Sequence, residues 1–511
     1  MQIDERRAPN AVIEALRTTP FDTAPPSIVE ALARAVRDHG TEPALRVGDD
    51  ICSWATLDAR SDTLARGLKA HGVDAGAYVT ISLHNGIDFV ETVYAIWKIG
   101  AIPQPVSWRL PIDELRAIVE LADSALVVAC EPLEVGRRVV SPARLREAAG
   151  GVVDLTYERS PSWKAPTSGG STGRPKLIVS GSPAVLQERM IAMWRLRPSD
   201  VVLMPGPLYH NAPFSITFPA LMNGTQVIVM GRFDAEETLR IIAEQRVTFL
   251  YLVPTMMTRI MKLPAEIRGR YDVSSLRMIW HMAAPCPAWL KRAWIDWVGP
   301  EVLWELYGGT EGVAFTVLDG NEWLAHPGSV GTVASGLGIE AFAPGGDMLP
   351  RGHVGELYMK HDAAQPLPYR YVGADDRTLE GDWYSIGDFG WLDDGGYLFL
   401  ADRRSDLILV GGANVYPAEV EAIVDQHPAV QSSCVIGLPD EDLGARVHAI
   451  VHAGDDLDEA ALRSFLSGRL SKPKMPKSFE FVREPLRDEA GKIRRSALRE
   501  ARLATGAVGP L

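Results

Sequence analysis

The sequence predicts an α/β fold: a large N-terminal domain of layered α/β subdomains with a small β-rich subdomain, followed by a small mobile α+β C-terminal domain. Three observations lead to this prediction. The chain has 511 residues and is 46% hydrophobic, which is enough for two or three domains with cores of their own. Short β-branched runs alternate with helical patterns through most of the chain. A charged run at 402–406 separates the last part of the chain from the rest.

The first half of the chain alternates between helix and strand. Apolar residues at helical spacing predict helices over 28–36, 57–68 and 89–96, with a strand over 78–83. Strands joined by helices imply mostly parallel sheets, with ligands at the carboxyl ends of the strands. Further along, the sequence predicts a helix over 235–244 and strands over 201–204, 225–230, 248–253 and 277–281.

From residue 331 onward the pattern changes. Glycine and proline turns between short strands predict the β-rich subdomain over 331–400. The charged run Asp402–Asp406 predicts a hinge, with an ordinary solvated turn as the alternative. We therefore expect a large domain over 1–404 and a small C-terminal domain over 405–511. The segments predicted to build the small domain are 407–410, 417–425, 430–436, 447–451 and 460–470.

Composition and charge exclude several classes of protein. The formal net charge of −13 argues against a nucleic-acid partner, because such a surface needs a clustered basic face. The first ten residues are charged and polar, and no apolar run reaches the ~20 residues of a membrane span. We expect a cytoplasmic protein without an integral membrane segment. A homodimer is compatible with the sequence.

A glycine-rich run, Ser168–Lys176, carries the strongest chemical signal in the chain. Its glycines let the backbone approach an anion, while Ser171, Thr172 and Lys176 supply hydroxyl and ammonium groups. The run has neither the Walker pattern nor the Gly-x-Gly-x-x-Gly pattern of dinucleotide-binding folds. It predicts a phosphate-binding loop, with a flexible surface turn as the alternative.

Two further segments and one lysine suit a nucleotide. Tyr307–Glu311 follows a strand-like run and combines an aromatic ring for a base, two glycines that admit a ligand, and oxygen donors for Mg²⁺. Asp388 follows a glycine and suits the two ribose hydroxyls. Taken singly, these segments also fit a tight turn and a loop aspartate, and Lys492 also fits a solvated cation.

Six motifs in order resemble one family. The chain resembles acyl-CoA synthetases of the adenylate-forming superfamily, which also contains luciferases and the adenylation domains of peptide synthetases. The resemblance extends from about residue 28 to about residue 500. The matching motifs are Ser168–Lys176, Pro207–Asn211, Tyr307–Glu311, Ser385–Asp388, Asp402–Glu419 with Gly411–Pro417, and Gly491–Lys492.

The resemblance implies two half-reactions in one site. A carboxylic acid and Mg·ATP give acyl-AMP and pyrophosphate, and the thiol of coenzyme A then displaces AMP. The expected cofactors are ATP, Mg²⁺ and coenzyme A, and the expected substrate is a small-molecule carboxylic acid. The positions that match the family's nucleotide residues are Ser171, Thr172, Gly173 and Lys176 for the β/γ-phosphates, Thr310 and Glu311 for the α-phosphate and Mg²⁺, Asp388 and Arg403 for the ribose, and Tyr307 for the adenine.

The resemblance also implies a moving C-terminal domain. Lys492 would bridge the substrate carboxylate and the α-phosphate during the first half-reaction only. Rotation about a hinge at Ser405 would withdraw Lys492 and bring Gly411 and Gly412 beside a pantetheine tunnel. His210 would then act near the acyl carbonyl, either as an aromatic gate or as a packing residue.

The chain departs from the family pattern at three positions. Gly169 replaces a hydroxyl residue, Leu177 replaces a common glycine, and Ser405 replaces the usual Asp or Lys at the hinge. These departures leave the adenylation rate open, so a paralogue specialised for the thioester half-reaction is an alternative. The retained Lys492 and Glu311 disfavour a non-catalytic binding protein. A peptide-synthetase module is disfavoured because no acidic residue is evident for an amino-acid ammonium group.

The segment 277–287 and the tryptophans that follow it resemble synthetases of bile acids and steroid side-chain acids. Tryptophans at this helical spacing are predicted to belong to the core. Small residues beside the acyl site leave room for a bulky ring system, so we expect a polycyclic steroid or terpenoid acid, with a linear fatty acid as the alternative. The candidate substrate residues are Tyr209, Met282, Ala283, Ala284, Gly308 and Gly309.

Overall fold

Six β-sheets organise the part of the chain that the computed structural model describes. The described residues are 24–151, 155–169, 175–334, 338–361, 366–401, 408–411, 413–440, 442–454, 456–487 and 493–504. The strands are β1 (Pro43–Val47), β2 (Asp50–Ser53), β3 (Tyr78–Ser82), β4 (Ile102–Pro105), β5 (Leu126–Ala129), β6 (Val139–Val140), β7 (Thr167–Gly169), β8 (Pro175–Ser180), β9 (Val201–Met204), β10 (Gln226–Val229), β11 (Phe249–Leu252), β12 (Met278–His281), β13 (Leu303–Gly308), β14 (Phe315–Asp319), β15 (Thr332–Val333), β16 (Gly338–Phe342), β17 (Gly355–Lys360), β18 (Tyr369–Val372), β19 (Arg377–Leu379), β20 (Trp383–Ser385), β21 (Phe389–Leu392), β22 (Leu398–Ala401), β23 (Ile408–Val410), β24 (Ala413–Val415), β25 (Val430–Asp440), β26 (Gly444–Ala453) and β27 (Ser478–Val482).

The helices are α1 (Ile28–His39), α2 (Trp54–Ala70), α3 (Ile87–Lys98), α4 (Ile112–Leu121), α5 (Pro142–Ala148), α6 (Glu188–Trp194), α7 (Asn211–Met222), α8 (Ala235–Gln245), α9 (Pro254–Met261), α10 (Ala265–Arg268), α11 (Ala288–Val298), α12 (Gly320–Ala325), α13 (Pro417–Val424), α14 (Glu459–Leu466) and α15 (Arg495–Ala504). Several begin at a side chain that accepts a first-turn N–H. Ser27 and Glu30 form a capping box before α1, and Asp234 accepts from the N–H of Glu237 before α8. None of the helices in the described residues is both long and apolar enough to cross a membrane.

The largest sheet has nine strands in the order β15-β14-β13-β12-β11-β9-β10-β1-β2. The run from β13 to β1 is parallel throughout, as predicted, while β2, β14 and β15 pair antiparallel at the two edges. Strand β9 has the predicted bounds, and β10, β11 and β12 lie within the predicted ranges. Because parallel strands end at the same edge of a sheet, the segments after β11, β12 and β13 meet there.

Two smaller sheets lie in the N-terminal part of the fold. Strands β4-β3-β5-β6 form a parallel sheet, and β18-β8-β7 form an antiparallel one. In the second of these sheets Tyr371 pairs with Ile178. Since Lys176 shares a face with Ile178, Lys176 and Tyr371 are diagonal neighbours on one face, within reach of long side chains.

The last two parts of the fold match their predicted classes. The strands between residues 338 and 401, apart from β18, form an antiparallel sheet in the order β19-β20-β17-β21-β22 with β16 paired to β17, which corresponds to the predicted β-rich subdomain. The C-terminal part packs α13, α14 and α15 with the sheet β25-β26-β27. Strand β25 extends beyond the predicted 430–436, because it pairs with β26 as far as Asp440. The boundary between residues 404 and 405 stays a prediction, since 402–407 lie outside the described residues.

The tryptophans near β12 and on α11 belong to the core, as predicted. Trp280 and Trp294 are both 1% exposed. The ring of Trp280 lies 5.1 Å from that of Trp194 and 5.4 Å from that of Trp304, with centroid distances typical of aromatic pairs. Trp289 and Trp297 are partly buried against the same core. They therefore stabilise the layer behind the sheet edge.

A buried ion cluster joins α2 to α3. The Lys98 ammonium is fully buried and donates to the carboxylates of Asp58, at 2.5 Å, and Asp62, at 2.6 Å. It also donates to the Asp58 carbonyl at 2.9 Å. A buried cation is tolerated when carboxylates and carbonyls take up its hydrogen bonds, which is the case here.

We expect Lys98→Met to destabilise the protein by about 3 kcal/mol, because the substitution leaves two adjacent carboxylates without their cation. Urea unfolding measures this change. Lys69→Met is the matched control, since Lys69 lies exposed on α2 and its loss is expected to change stability by less than about 0.5 kcal/mol. Equal unfolding midpoints for the two variants would contradict a stabilising role for the buried cluster.

Candidate active site

A cavity of about 2770 Å³ opens at the carboxyl ends of β11, β12 and β13. Pockets for one small ligand are typically ~300–1,000 Å³, so this cavity has room for more than one ligand. Gly411 is described but is not part of the lining. The predicted site residues that line the cavity are Lys176, Tyr209, His210, Met282, Ala283, Ala284, Tyr307, Gly308, Gly309, Thr310, Glu311 and Asp388. The remaining predicted site residues, Ser171, Thr172, Gly173, Arg403, Ser405, Gly412 and Lys492, lie outside the described residues.

A buried carboxylate, Glu311, organises the phosphate side of the cavity. The hydroxyl of Tyr371 donates to Glu311 Oε1 at 2.5 Å, and the ammonium of Lys176 lies 3.6 Å from the same oxygen. Lys176 Nζ also lies 3.6 Å from the centre of the Tyr371 ring, which is a cation–π distance. The structure therefore brings the predicted phosphate lysine and the predicted Mg²⁺ ligand together through Tyr371.

Tyr371 stays protonated in this arrangement. Burial raises the pKa of Tyr371 well above its usual range, and the hydrogen bond to the Glu311 carboxylate raises it further. The hydroxyl is therefore a permanent donor to Glu311. Sequence reasoning missed Tyr371, although the alternation Tyr369-Arg370-Tyr371 on a strand was a signal that these two aromatic rings share a face.

The nucleoside side of the cavity joins Tyr307 to Asp388. The hydroxyl of Tyr307 donates to Asp388 Oδ2 at 2.9 Å. The turn before Asp388 is held by Ser385, whose Oγ donates to Glu356 at 2.7 Å and accepts the N–H of Gly387 at 3.0 Å. Gly387 has φ +86°, a conformation that favours glycine. The predicted base-stacking ring on β13 thus lies beside the predicted ribose carboxylate, which this fixed turn positions.

Two of the small residues predicted to make room for the acid have a packing reason as well. A Cβ added at Gly309 would lie 2.7 Å from Glu311 Oε2 and 3.0 Å from Ile386. A Cβ added at Gly308 would lie 3.0 Å from Phe315. Both positions line the cavity, and the glycines let the backbone pass close to Glu311 and to β14.

The donor set of the phosphate side fits Mg·ATP. Thr310 and Glu311 would hold Mg²⁺, because hydroxyl and carboxylate oxygens are the donors that hard cations prefer. Among the described residues no three His, Cys, Asp or Glu side chains cluster as a metal site, which fits an ion held by one carboxylate together with substrate phosphates. Bound Mg²⁺ would supply positive charge against the phosphate oxygens, and Lys176 adds a second cation from the protein.

The acyl side of the cavity begins at His210. This residue precedes α7, and its ring lies 4.5 Å from that of Tyr209. Across the cavity, Met282, Ala283 and Ala284 follow β12. Ala283 has φ +74°, the left-handed region that costs a residue with a Cβ about 1 kcal/mol or more. The chain therefore turns sharply after β12 and presents short side chains to the cavity.

The C-terminal part contributes the residues next to Lys492. Ile493, Arg494 and Arg495 line the cavity. Arg494 pairs with Glu114 on α4 at 2.9 Å. Both residues line the cavity, so this ion pair joins α4 to the segment that precedes α15. Gly411 does not line the cavity. It lies in the turn between β23 and β24, where its N–H donates to the Leu443 carbonyl at 2.9 Å.

Comparison with known proteins supports the same assignment. The AMP-binding enzyme family matches residues 32–364, and the AMP-binding enzyme C-terminal domain matches residues 419–492. A feruloyl-CoA synthase from Amycolatopsis is 31% identical over 476 residues, covering 90% of this chain and 96% of that protein. A long-chain-fatty-acid–CoA ligase from Mycobacterium tuberculosis is 29% identical over 483 residues, covering 89% of this chain and 93% of that protein.

Solved structures share the fold. ATP-bound MatB from Rhodopseudomonas palustris has a TM-score of 0.76 at 28% identity, covering 93% of this chain and 99% of that chain. The o-succinylbenzoate CoA synthetase MenE from Bacillus subtilis, in complex with its acyl-adenylate intermediate, has a TM-score of 0.79 at 24% identity, covering 94% and 99%. The predicted α/β fold is confirmed by these matches.

The geometry of the cavity and the family matches lead to the same conclusion about this chain. The chain belongs to the AMP-binding enzyme family, and it is an AMP-forming acid–thiol ligase of the acyl-CoA synthetase type that uses ATP, Mg²⁺ and coenzyme A.

Proposed function

We propose that this ligase activates a bulky hydrophobic carboxylic acid, a polycyclic steroid or terpenoid acid, as its acyl-adenylate and transfers it to coenzyme A. The wall of the acyl side carries this proposal. Ala283 and Ala284 present short side chains there, while Met190 and Met193 on α6 present flexible ones. A wall of short and flexible side chains suits a wide, rigid ring system, which a narrow tunnel would exclude.

The residues that line the cavity suggest how the first half-reaction proceeds. Lys176 and Glu311 would hold the phosphates and Mg²⁺, and Tyr307 and Asp388 would hold the nucleoside. The acid's carboxylate would enter from the His210 side and attack the α-phosphate in line, with pyrophosphate leaving toward Lys176. Positioning and charge neutralisation supply most of the catalysis in such transfers.

The second half-reaction needs a different arrangement of the C-terminal domain, which we assign to 405–511 with a hinge at Ser405. The contact between Arg494 and Glu114 holds the residues after Lys492 at the cavity, while Gly411 is not among the residues that line it. This arrangement supports the proposal that Lys492 serves adenylation and that Gly411 and Gly412 approach the cavity only for thioester formation. A cytoplasmic location and a homodimer stay predictions.

A linear fatty acid is the second candidate substrate. One relative is named a long-chain-fatty-acid–CoA ligase, and another is an indoleacetate–CoA ligase from Aromatoleum aromaticum that is also 29% identical, covering 91% of this chain and 96% of that protein. Sequence identity therefore does not choose between chain and ring. A paralogue that only forms thioesters from a supplied acyl-adenylate is a further candidate, because Gly169 removes one hydroxyl from the phosphate loop.

One assay separates these candidates. Pyrophosphate release and CoA-thioester formation are measured with linear, aromatic and polycyclic acids, starting either from acid and ATP or from preformed acyl-AMP. The proposal expects both products from acid and ATP, with the highest kcat/KM for polycyclic acids. A preference for linear acids would support the fatty-acid candidate, and thioester from acyl-AMP alone would support the specialised paralogue.

We expect Lys492→Ala to lower adenylation about 100-fold or more, because the variant loses the cation at the α-phosphate, and to keep most of the thioester step from acyl-AMP. The two half-reactions are measured separately. Lys472→Ala is the control, since Lys472 lies exposed on the same C-terminal domain. Equal loss of both half-reactions would refute the division of labour assigned to the C-terminal domain.

We expect Gly309→Ala to lower adenylation about 10- to 100-fold and to lower stability by about 1 kcal/mol or more, because the added methyl group displaces the buried Glu311 carboxylate from its partner Tyr371. Pyrophosphate release and thermal unfolding measure the two effects. Gly231→Ala is the matched control, because a Cβ there meets no atom within 4 Å. Wild-type adenylation by Gly309→Ala would show that the position of Glu311 is not critical.

A further inference from the structure

Lys164 is a buried lysine in the wall of the cavity, three residues before β7. It is 6% exposed, and its ammonium donates to Asn211 Oδ1 and, at 2.6 Å, to Ser215 Oγ. The ammonium also lies 4.4 Å from the centre of the Trp163 ring. Lys164, Asn211 and Ser215 all line the cavity.

This lysine differs from the other buried lysines of the described residues. Lys98 contacts two carboxylates, and Lys291 contacts the carboxylate of Glu305. Among the described residues no carboxylate contacts Lys164, whose partners are a neutral amide oxygen and a neutral hydroxyl. Burial lowers the pKa of Lys164 to about 7, against an ordinary value near ~10.4. Because no anionic side chain of the described residues offsets its charge, burial disfavours the ammonium form of Lys164, and an acceptor oxygen on a bound ligand would favour it.

The geometry leaves Lys164 with capacity for a ligand. An ammonium group has three N–H donors, and two of them are used by Asn211 and Ser215. Both acceptors lie on the first turns of α7, directly after His210. The N–H of the Trp194 indole donates to the Ser215 carbonyl at 2.9 Å, which fixes the apolar wall on the other side. Lys164, Asn211, Ser215 and Trp194 line the same cavity as Met190 and Met193, so the ammonium group lies beside the wall assigned to the acid.

We propose that Lys164 recognises an oxygen on the body of the acid, distant from the carboxylate that is activated. The acid would then be an oxygenated ring compound, with a keto group or a second carboxylate as the acceptor. This inference rests on the proposed function, because it specifies the same bulky acid. Asn211 and Ser215 orient the ammonium group, and the substrate oxygen takes the third N–H.

A matched set of decalin carboxylic acids tests the inference. The three acids carry no further oxygen, a keto group or a second carboxylate on the distal ring. We expect kcat/KM for at least one oxygenated acid to exceed that for the parent acid by about 10- to 100-fold, because a hydrogen bond from a charged donor contributes this much to binding. The keto and dicarboxylic arms show which oxygen is preferred. Equal kcat/KM for all three acids overturns the inference.

Lys164→Met supplies the second arm, because it keeps the length of the side chain and removes the donor. We expect this variant to lose the preference for the oxygenated acid over the parent acid, through a higher KM for the oxygenated acid. Ser215→Ala, a milder change, is expected to lose part of the preference. An unchanged preference in Lys164→Met, or an equal loss on all three acids, contradicts a role in recognition.

Thermal unfolding separates recognition from structure. Removing an uncompensated buried ammonium is expected to leave the Tm of Lys164→Met equal to or above that of the parent protein. Lys98→Met is the control, a buried lysine with carboxylate partners whose loss lowers Tm. A drop in Tm as large as that of Lys98→Met would make Lys164 a structural residue and overturn the inference.

Failure of the inference is distinguishable from failure of the proposed function. If no ring acid supports pyrophosphate release or thioester formation while linear acids do, the proposed function fails. If ring acids are used but the oxygen makes no difference, only the role of Lys164 fails.

Discussion

Burial of the Glu311 carboxylate is the constraint on which the site depends. A buried carboxylate must be hydrogen-bonded or paired, and Glu311 receives both kinds of partner from one small sheet, the Tyr371 hydroxyl and the Lys176 ammonium. Glu311 itself lies in the connection between β13 and β14 of the largest sheet. Its contacts with Tyr371 and Lys176 therefore hold the predicted phosphate lysine and the predicted Mg²⁺ ligand together and join the two sheets.

The close approach of Gly309 to Glu311 follows from the same constraint. The carboxylate can lie against the backbone only where no Cβ intervenes, and the neighbouring turn brings Ile386 and Asp388 to the other side. The backbone at Gly309 thus packs between Glu311 on the phosphate side and Ile386 on the nucleoside side. Gly308 and Gly309 allow this close packing, and Ala283 and Ala284 are the small residues after β12 that line the cavity.

Local compensation of charge distinguishes the parts of this acidic protein. With a net charge of −13, no global positive field attracts ATP, so cations must be placed singly. Lys176 is balanced by Glu311, and Lys98 by two aspartates. In the part of the chain that the structure describes, the acceptors that contact Lys164 are neutral, so a substrate oxygen would offset its charge.

The sequence by itself determined the class of the fold, because strand periodicity is a local property, and its short motifs predicted the nucleotide residues. The bounds of β9 and a mostly parallel sheet follow from the alternation of strand and helix patterns along the chain, whereas the order β12-β11-β9-β10 does not. Only the tertiary structure decided which distant side chains meet. Tyr371 reaches Glu311 through strand register, and Lys164 reaches Asn211 and Ser215 across 47 and 51 positions of the chain. A pairing of this kind depends on how separate elements pack, and no local pattern around Lys164 encodes it.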